Sequence, residues 1–173
     1  MDSKPSSIQK KIEQAHELCS VWADLLKEDP FISSLIHKLQ SCIQNTRKKM
    51  VTLDIVSECK RCEEEEGGAS CCGSGIEDKY DTYLLLTNLL LGGSLQNGHP
   101  QKNSCYFLGK NGCTLTARHV LCVNYICPKL QQKLNREELI ELQTCAGQEL
   151  DTLFTLTEAV KKRLRASPTE QQK

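Results

Sequence analysis

Apolar residues recur at Ile8, Ile12, Ala15, Cys19, Trp22 and Leu26. Their alternating spacing of four and three keeps them on one stripe of a helix. The pattern breaks at Glu28-Asp29-Pro30. There Asp29 suits the N-cap of a second helix and Pro30 its first position, where the missing N–H would be unpaired anyway. Ile32, Leu35, Ile36, Leu39, Cys42, Ile43, Met50 and Leu53 carry the second stripe. So short a connection predicts two helices packed antiparallel as a hairpin over residues 1–57.

Periodicity then stops. Glu58 to Gly75 reads ECKRCEEEEGGASCCGSG, with neither a helical nor a strand period, and is expected to be a loop that something must order. A leucine-rich helix is predicted from about Asp78 to Leu91, stopping at Gly92-Gly93. Further on, Cys105-Tyr106-Phe107-Leu108 and Cys113-Thr114-Leu115 flank Gly109-Lys110-Asn111-Gly112. Asn-Gly supplies positive φ cheaply, so this reads as a β-hairpin that brings Cys105 near Cys113. Asn135-Arg136-Glu137-Glu138 resembles a capping box. It opens a long helix with Leu139, Leu142, Ala146, Leu150, Leu153, Leu156, Val160 and Leu164 on its buried side.

The expected architecture is mainly α: a helical scaffold of N-terminal hairpin, central helix and C-terminal helix, with cysteine-rich metal-binding loops and one short β-hairpin. A chain of 173 residues suits a single domain, divided as 1–57 hairpin, 58–130 cysteine region, 131–167 C-terminal helix and 168–173 tail.

The totals narrow the function. Basic and acidic residues balance at 22 each and aromatics make up only 5%, so neither a basic nucleic-acid surface nor a set of base-stacking rings is evident. The longest apolar run, Tyr83 to Leu91, is far short of a bilayer span. The start, MDSKPSSIQKKIEQAHEL, lacks the apolar stretch of a signal peptide, which points to a cytoplasmic, reducing compartment. Stable disulfides are rare there, and an odd count of eleven cysteines cannot pair completely. Clustered thiols in that setting ligate metal or do redox work.

Cys19, Cys42 and Cys145 fall within the apolar stripes and read as small core hydrophobes. The other eight form two sets: Cys59, Cys62, Cys71 and Cys72, then Cys105, Cys113, Cys122 and Cys127. Cys59-Lys60-Arg61-Cys62 has the two-residue spacing that lets two thiolates turn toward one ion. Cys71 and Cys72 are adjacent and diverge unless the chain turns tightly at Gly73. Either one ligates while the other supports it, or two centres share the pair. Pro128 pushes Cys127 out of the α region, so that its sulfur can swing back toward Cys122.

Between Thr82 and Lys129 no acidic residue occurs, while Lys102, Lys110, Arg118 and Lys129 are interleaved with the cysteines. Nearby cations lower thiol pKa values and suit an anionic thiolate centre. Glu63 to Glu66 read as a solvated face. A structural zinc site usually shows two tight cysteine pairs. Here there is one, and the later gaps are seven, eight and four residues, which tilts the reading toward iron–sulfur.

These residues resemble a known family. CxxC, then CCG, then CYFLGKNGCTLTARHVLCVNYIC look like the YkgJ-type cysteine-cluster proteins, described as zinc- or iron-chelating domains and sharing a cysteine module with flagellin lysine N-methylases. The resemblance spans roughly Cys59 to Lys129. It implies metal binding through those eight cysteines, with an iron–sulfur cluster of the 4Fe-4S type or alternatively zinc, in a small bacterial or archaeal cytosolic protein. Two departures stand out. The family's Arg-Pro and the Arg after the third late cysteine are replaced by Arg118-His119 and Val123, and eight residues separate Cys62 from Cys71.

Three other functions compete. A helical interaction protein with a structural zinc would need no chemistry. A methyltransferase module or enzyme would need a glycine-rich strand-to-helix turn, and none is visible. A thiol–disulfide protein would set its CxxC beside a βαβ pattern, which is missing. His16 and His37 read as surface residues, and neither they nor His99 and His119 have an obvious nucleophile partner. His119, three residues before Cys122, is a candidate substitute ligand. The sequence reads as a metal-binding protein with an electron-transfer or accessory role, and no catalytic group is assigned.

Overall fold

The computed structural model describes residues 7–66, 72–99 and 103–166. Helix α1 (Ser7–Glu28) buries Ile8, Ile12, Ala15 and Leu26, with Cys19 and Trp22 half-buried beside them. Asp29 ends it and starts α2 (Pro30–Thr52) by accepting hydrogen bonds from the Phe31 and Ile32 N–H groups, as an N-cap carboxylate does. The two helices touch, but α1 lies chiefly along α4 (Thr82–Leu90) and α2 along α7 (Arg136–Arg165). The hairpin is therefore one part of a larger helical stack.

The stretch expected to be a loop from Glu58 begins instead as helix α3 (Ile55–Glu66). Lys, Arg and Glu are good helix formers. Three further contacts stabilise this segment: Arg61 pairs with Glu58 within the helix, Lys133 reaches Asp54 at 2.8 Å, and Lys133 reaches Glu58 at 2.5 Å. None of them is visible as hydrophobic periodicity.

The central helix also starts later than its leucines suggest. A 3₁₀ turn covers Ile76–Lys79, Tyr80 and Asp81 are extended, and the Asp81 carboxylate caps α4 through the Leu84 N–H at 2.7 Å. At the other end the Gly92 N–H donates to Leu89 O and the Gly93 N–H to Asn88 O. This is a Schellman closure, with Gly92 at φ 82°.

The expected β-hairpin is present and short: β1 (Leu108–Gly109) pairs antiparallel with β2 (Gly112–Cys113), and Gly112 takes φ 98°. Two short helices follow, α5 (Val120–Asn124) and α6 (Pro128–Lys133), before α7. The region expected as one C-terminal helix from residue 131 is thus divided at Leu134-Asn135. The Asn135/Glu138 capping box forms in both directions.

The main core gathers α1, α2, α4, α7 and the hairpin around Leu85, Leu86, Phe107, Leu115 and Leu156. A smaller cluster of Ile55, Leu130, Leu134 and Leu142 joins α3, α6 and the start of α7. Among the described residues no helix is long and apolar enough to cross a membrane.

Candidate metal centre

The fold deals the cysteines to different places. Cys59 and Cys62 sit one turn apart on α3, where Cys59 packs against the smaller cluster together with Cys127. Cys72, Cys105 and Cys113 belong to the main core, and Cys122 lies on α5 facing Tyr80. Cys71 and Lys102 lie outside the described residues, as does the tail 168–173. Of the three cysteines read as core, Cys42 is buried and Cys19 and Cys145 are half-buried.

Cys72 and Cys105 are tied by backbone. The Cys105 N–H donates to Cys72 O at 2.7 Å, beside an isolated bridge between Gly73 and Ser104. This crossing holds the CCG segment against the hairpin. From the hairpin's far side, Asn88 of α4 donates to Ala117 O and accepts from the Ala117 N–H, both at 2.9 Å. The chain that runs from Cys113 to Cys122 is thereby fastened to the helical core.

Three sulfurs share one electrostatic neighbourhood. Burial pushes the Cys105 thiol up to about 12, and the charges of Glu77, Cys113 and Cys122 add to that effect. Burial also raises Cys113, opposed by the Leu115 backbone, Arg118 and Arg47. In the main these thiols are held neutral by desolvation.

Each of the three is nevertheless a hydrogen-bond acceptor. Cys105 is met by the Phe107 backbone and Cys113 by the Leu115 backbone, both of which favour the thiolate. Cys122 Sγ is met by the Tyr80 hydroxyl at 3.8 Å. Donors aimed at sulfur suit a thiolate far better than a thiol, which is a weak acceptor.

His119, considered as a substitute ligand, has another use. Its Nδ1 accepts from the Leu121 N–H at 3.2 Å and so caps α5, while burial holds the ring's pKa below the usual histidine value. His16 and His37 are exposed on α1 and α2, and His99 Nε2 lies 2.7 Å from Ser104 O.

Sequence reasoning missed Arg47, whose guanidinium bonds the Leu115 and Thr116 carbonyls at 3.1 and 3.2 Å. It also missed Tyr80, which it placed inside a plain leucine helix. Among the described residues no three His, Cys, Asp or Glu side chains come together as a group that could hold a metal ion.

Comparisons with protein-family models, with curated proteins and with solved structures find no match.

Proposed function

We propose that this chain is a metal-thiolate protein whose ligands are drawn from Cys105, Cys113 and Cys122, with Cys72 tied to Cys105 through the backbone, and that it carries an iron–sulfur cluster, zinc being the alternative occupant. The observation that carries this reading is the Tyr80 hydroxyl bonded to Cys122 Sγ, beside a buried Cys105 that feels the charges of Cys113 and Cys122. Soft thiolates select iron–sulfur clusters, zinc and monovalent copper over hard cations. Arg118 and Arg47 beside Cys113 offset the negative charge that such a ligand set accumulates. A cluster would supply one-electron transfer, and zinc would supply a structural cross-link.

The residues themselves set the conditions. Cys105 and Cys113 are held as neutral thiols by burial, so ligation must release their protons and is favoured as pH rises. Asn88 and the Cys72–Cys105 crossing hold the ligand-bearing segments in place, which lowers the ordering cost of bringing the sulfurs together. Phe107 and Leu115 backbone donors and the Tyr80 hydroxyl then stabilise the thiolate form. Cys59 and Cys127, packed against the smaller cluster, and Cys62 on α3 support the fold in this reading or belong to a separate centre.

Iron and acid-labile sulfide, measured with a visible absorption spectrum on protein purified without oxygen, test the proposal. Iron with matching sulfide supports a cluster. Zinc without sulfide retains the thiolate site and makes it structural. Metal-free protein that takes up neither overturns the reading.

A further inference from the structure

Cys72 and Cys105 meet as opposite residues of an antiparallel crossing. Gly73 bridges Ser104, and the Cys105 N–H donates to Cys72 O at 2.7 Å, so the register that sets Gly73 against Ser104 also sets Cys72 against Cys105. Opposite residues of such a pair project to the same face, with Cα atoms about 5.5 Å apart where the backbones are bonded. That lies inside the span of about 4.4 to 6.8 Å that a disulfide bridges. Both residues are thiols, Cys105 buried and Cys72 half-buried, and both pack in the main core. The hairpin offers no such match, since the residue opposite Cys113 across it is Leu108.

The chain on either side of the pair is pinned independently of it. The Gly75 N–H donates to a Glu77 carboxylate oxygen at 2.9 Å, His99 Nε2 lies 2.7 Å from Ser104 O, and the Leu108 N–H donates to Cys105 O at 2.9 Å. Joining the sulfurs therefore calls for side-chain rotation and no new backbone register. We infer that Cys72 and Cys105 are a thiol–disulfide switch: a low-molecular-weight disulfide such as oxidised glutathione converts them to a cross-strand bond that locks the segment at Cys72-Gly73 onto the entry of the hairpin. The inference rests on backbone register and not on the metal-thiolate reading, and a metal bound to Cys105 would block it. Cys72, the more exposed thiol, loses its proton to solvent and attacks one glutathione sulfur, releasing the first glutathione thiolate. Cys105, deprotonated in turn, attacks the Cys72 sulfur of the mixed disulfide and releases the second. Two electrons and two protons thus pass from the protein thiols to one glutathione disulfide, which leaves as two thiols.

The test incubates the folded full chain with oxidised glutathione, with and without a chelator, then blocks the remaining thiols and maps linked peptides by mass spectrometry. We expect a peptide carrying Cys72 joined to one carrying Cys105, in wild type and in Cys71→Ser, and loss of that link in Cys72→Ser. A link in either condition supports the inference. Cys105→Ser should retain a glutathione on Cys72, because the thiol that expels it is gone, and a folded Cys105→Ser chain that leaves Cys72 unmodified overturns the order of attack. The switch itself is overturned by the absence of the link in both conditions, by Cys105 joined to another cysteine in its place, or by a link that forms only once urea has unfolded the chain. Should the buried Cys105→Ser fail to fold, Cys72→Ser at the half-exposed position decides: a link to Cys105 that persists there refutes the pairing.

Discussion

Asn88 and Ala117 pair as two backbones would, the side-chain amide of one giving and receiving a hydrogen bond with the main chain of the other, both at 2.9 Å. Asn88 is 1% exposed and also donates to Leu84 O at 2.9 Å. Truncating this side chain to a methyl group would strand the Ala117 N–H and C=O away from water, at about 1 to 3 kcal/mol for each unsatisfied group. Asn88→Ala is therefore expected to lower the unfolding free energy in urea by about 3 kcal/mol. A loss below a few tenths would show that the segment before Cys122 is held by other means.

Gly93 has a similar sensitivity for a steric reason. A Cβ placed on it would lie 2.9 Å from the Asn88 carbonyl oxygen and 3.3 Å from Thr116 Oγ1. The carbonyl belongs to the helix end and cannot move without opening the Schellman closure. Gly93→Ala should cost about 1 to 3 kcal/mol, the range for overpacking, whereas Gly147→Ala on α7, with open space around its Cβ position, should stabilise by up to about 1 kcal/mol. Thermal unfolding of the two variants checks the opposite signs.

Glu149 on α7 is 1% exposed, and neither carboxylate oxygen has a hydrogen-bond partner among the described residues. Burying polar oxygens without hydrogen-bond partners is costly in a core. Substitution by methionine, of similar length and no charge, is expected to raise stability by at least about 1 kcal/mol. A destabilised Glu149→Met would mean that the carboxylate is compensated by a group not yet paired with it.

The Lys133 ion pairs give a pH signature. Hydrogen bonds from Lys133 hold the Asp54 and Glu58 carboxyls below their ordinary values. Depressed folded-state pKa values add stability that is present above the unfolded carboxylate range and is lost as pH falls through the folded values. The pairs are exposed, so the effect is small and screened by salt. Lys133→Met should lower the urea midpoint at pH 7 in low salt and leave it unchanged once pH has fallen below the folded carboxyl values. An equal difference at both pH values would trace it to lost packing.

Much of the scaffold was legible in the chain because α1, α2 and α7 each carry a long apolar stripe and explicit caps at Asp29 and Asn135. Helix α3 was not, since its stability depends on charge pairing with Lys133, 75 residues from Glu58, and a run of glutamates carries no stripe. The start of α4 was displaced for a related reason. Asp81, not Asp78, is the cap, and only the tertiary seat of Tyr80 against Phe107 shows why the chain stays extended there.

The candidate site divides in the same way. That the hairpin would bring Cys105 toward Cys113 followed from Asn111-Gly112, and the charge of Cys113 acts on the Cys105 thiol. Which other cysteines would join them did not follow, because Cys72 arrives through a backbone crossing with Cys105, and Cys122 through a tyrosine 42 residues away. Arg47 was illegible for the same cause: its contact with the Leu115 carbonyl spans 68 residues.

The thiolate assignment is tested most directly by X-ray absorption at the edge of whichever metal the anaerobically isolated chain contains, compared between wild type, Cys113→Ser, Cys122→Ser and Cys19→Ser. The account predicts a shell of sulfur neighbours at about 2.3 Å, lost or thinned in the Cys113 and Cys122 variants and intact in Cys19→Ser, whose cost is confined to core packing. A shell of nitrogen and oxygen alone at about 2.0 to 2.2 Å, or metal content untouched by the Cys113 and Cys122 substitutions, would contradict it.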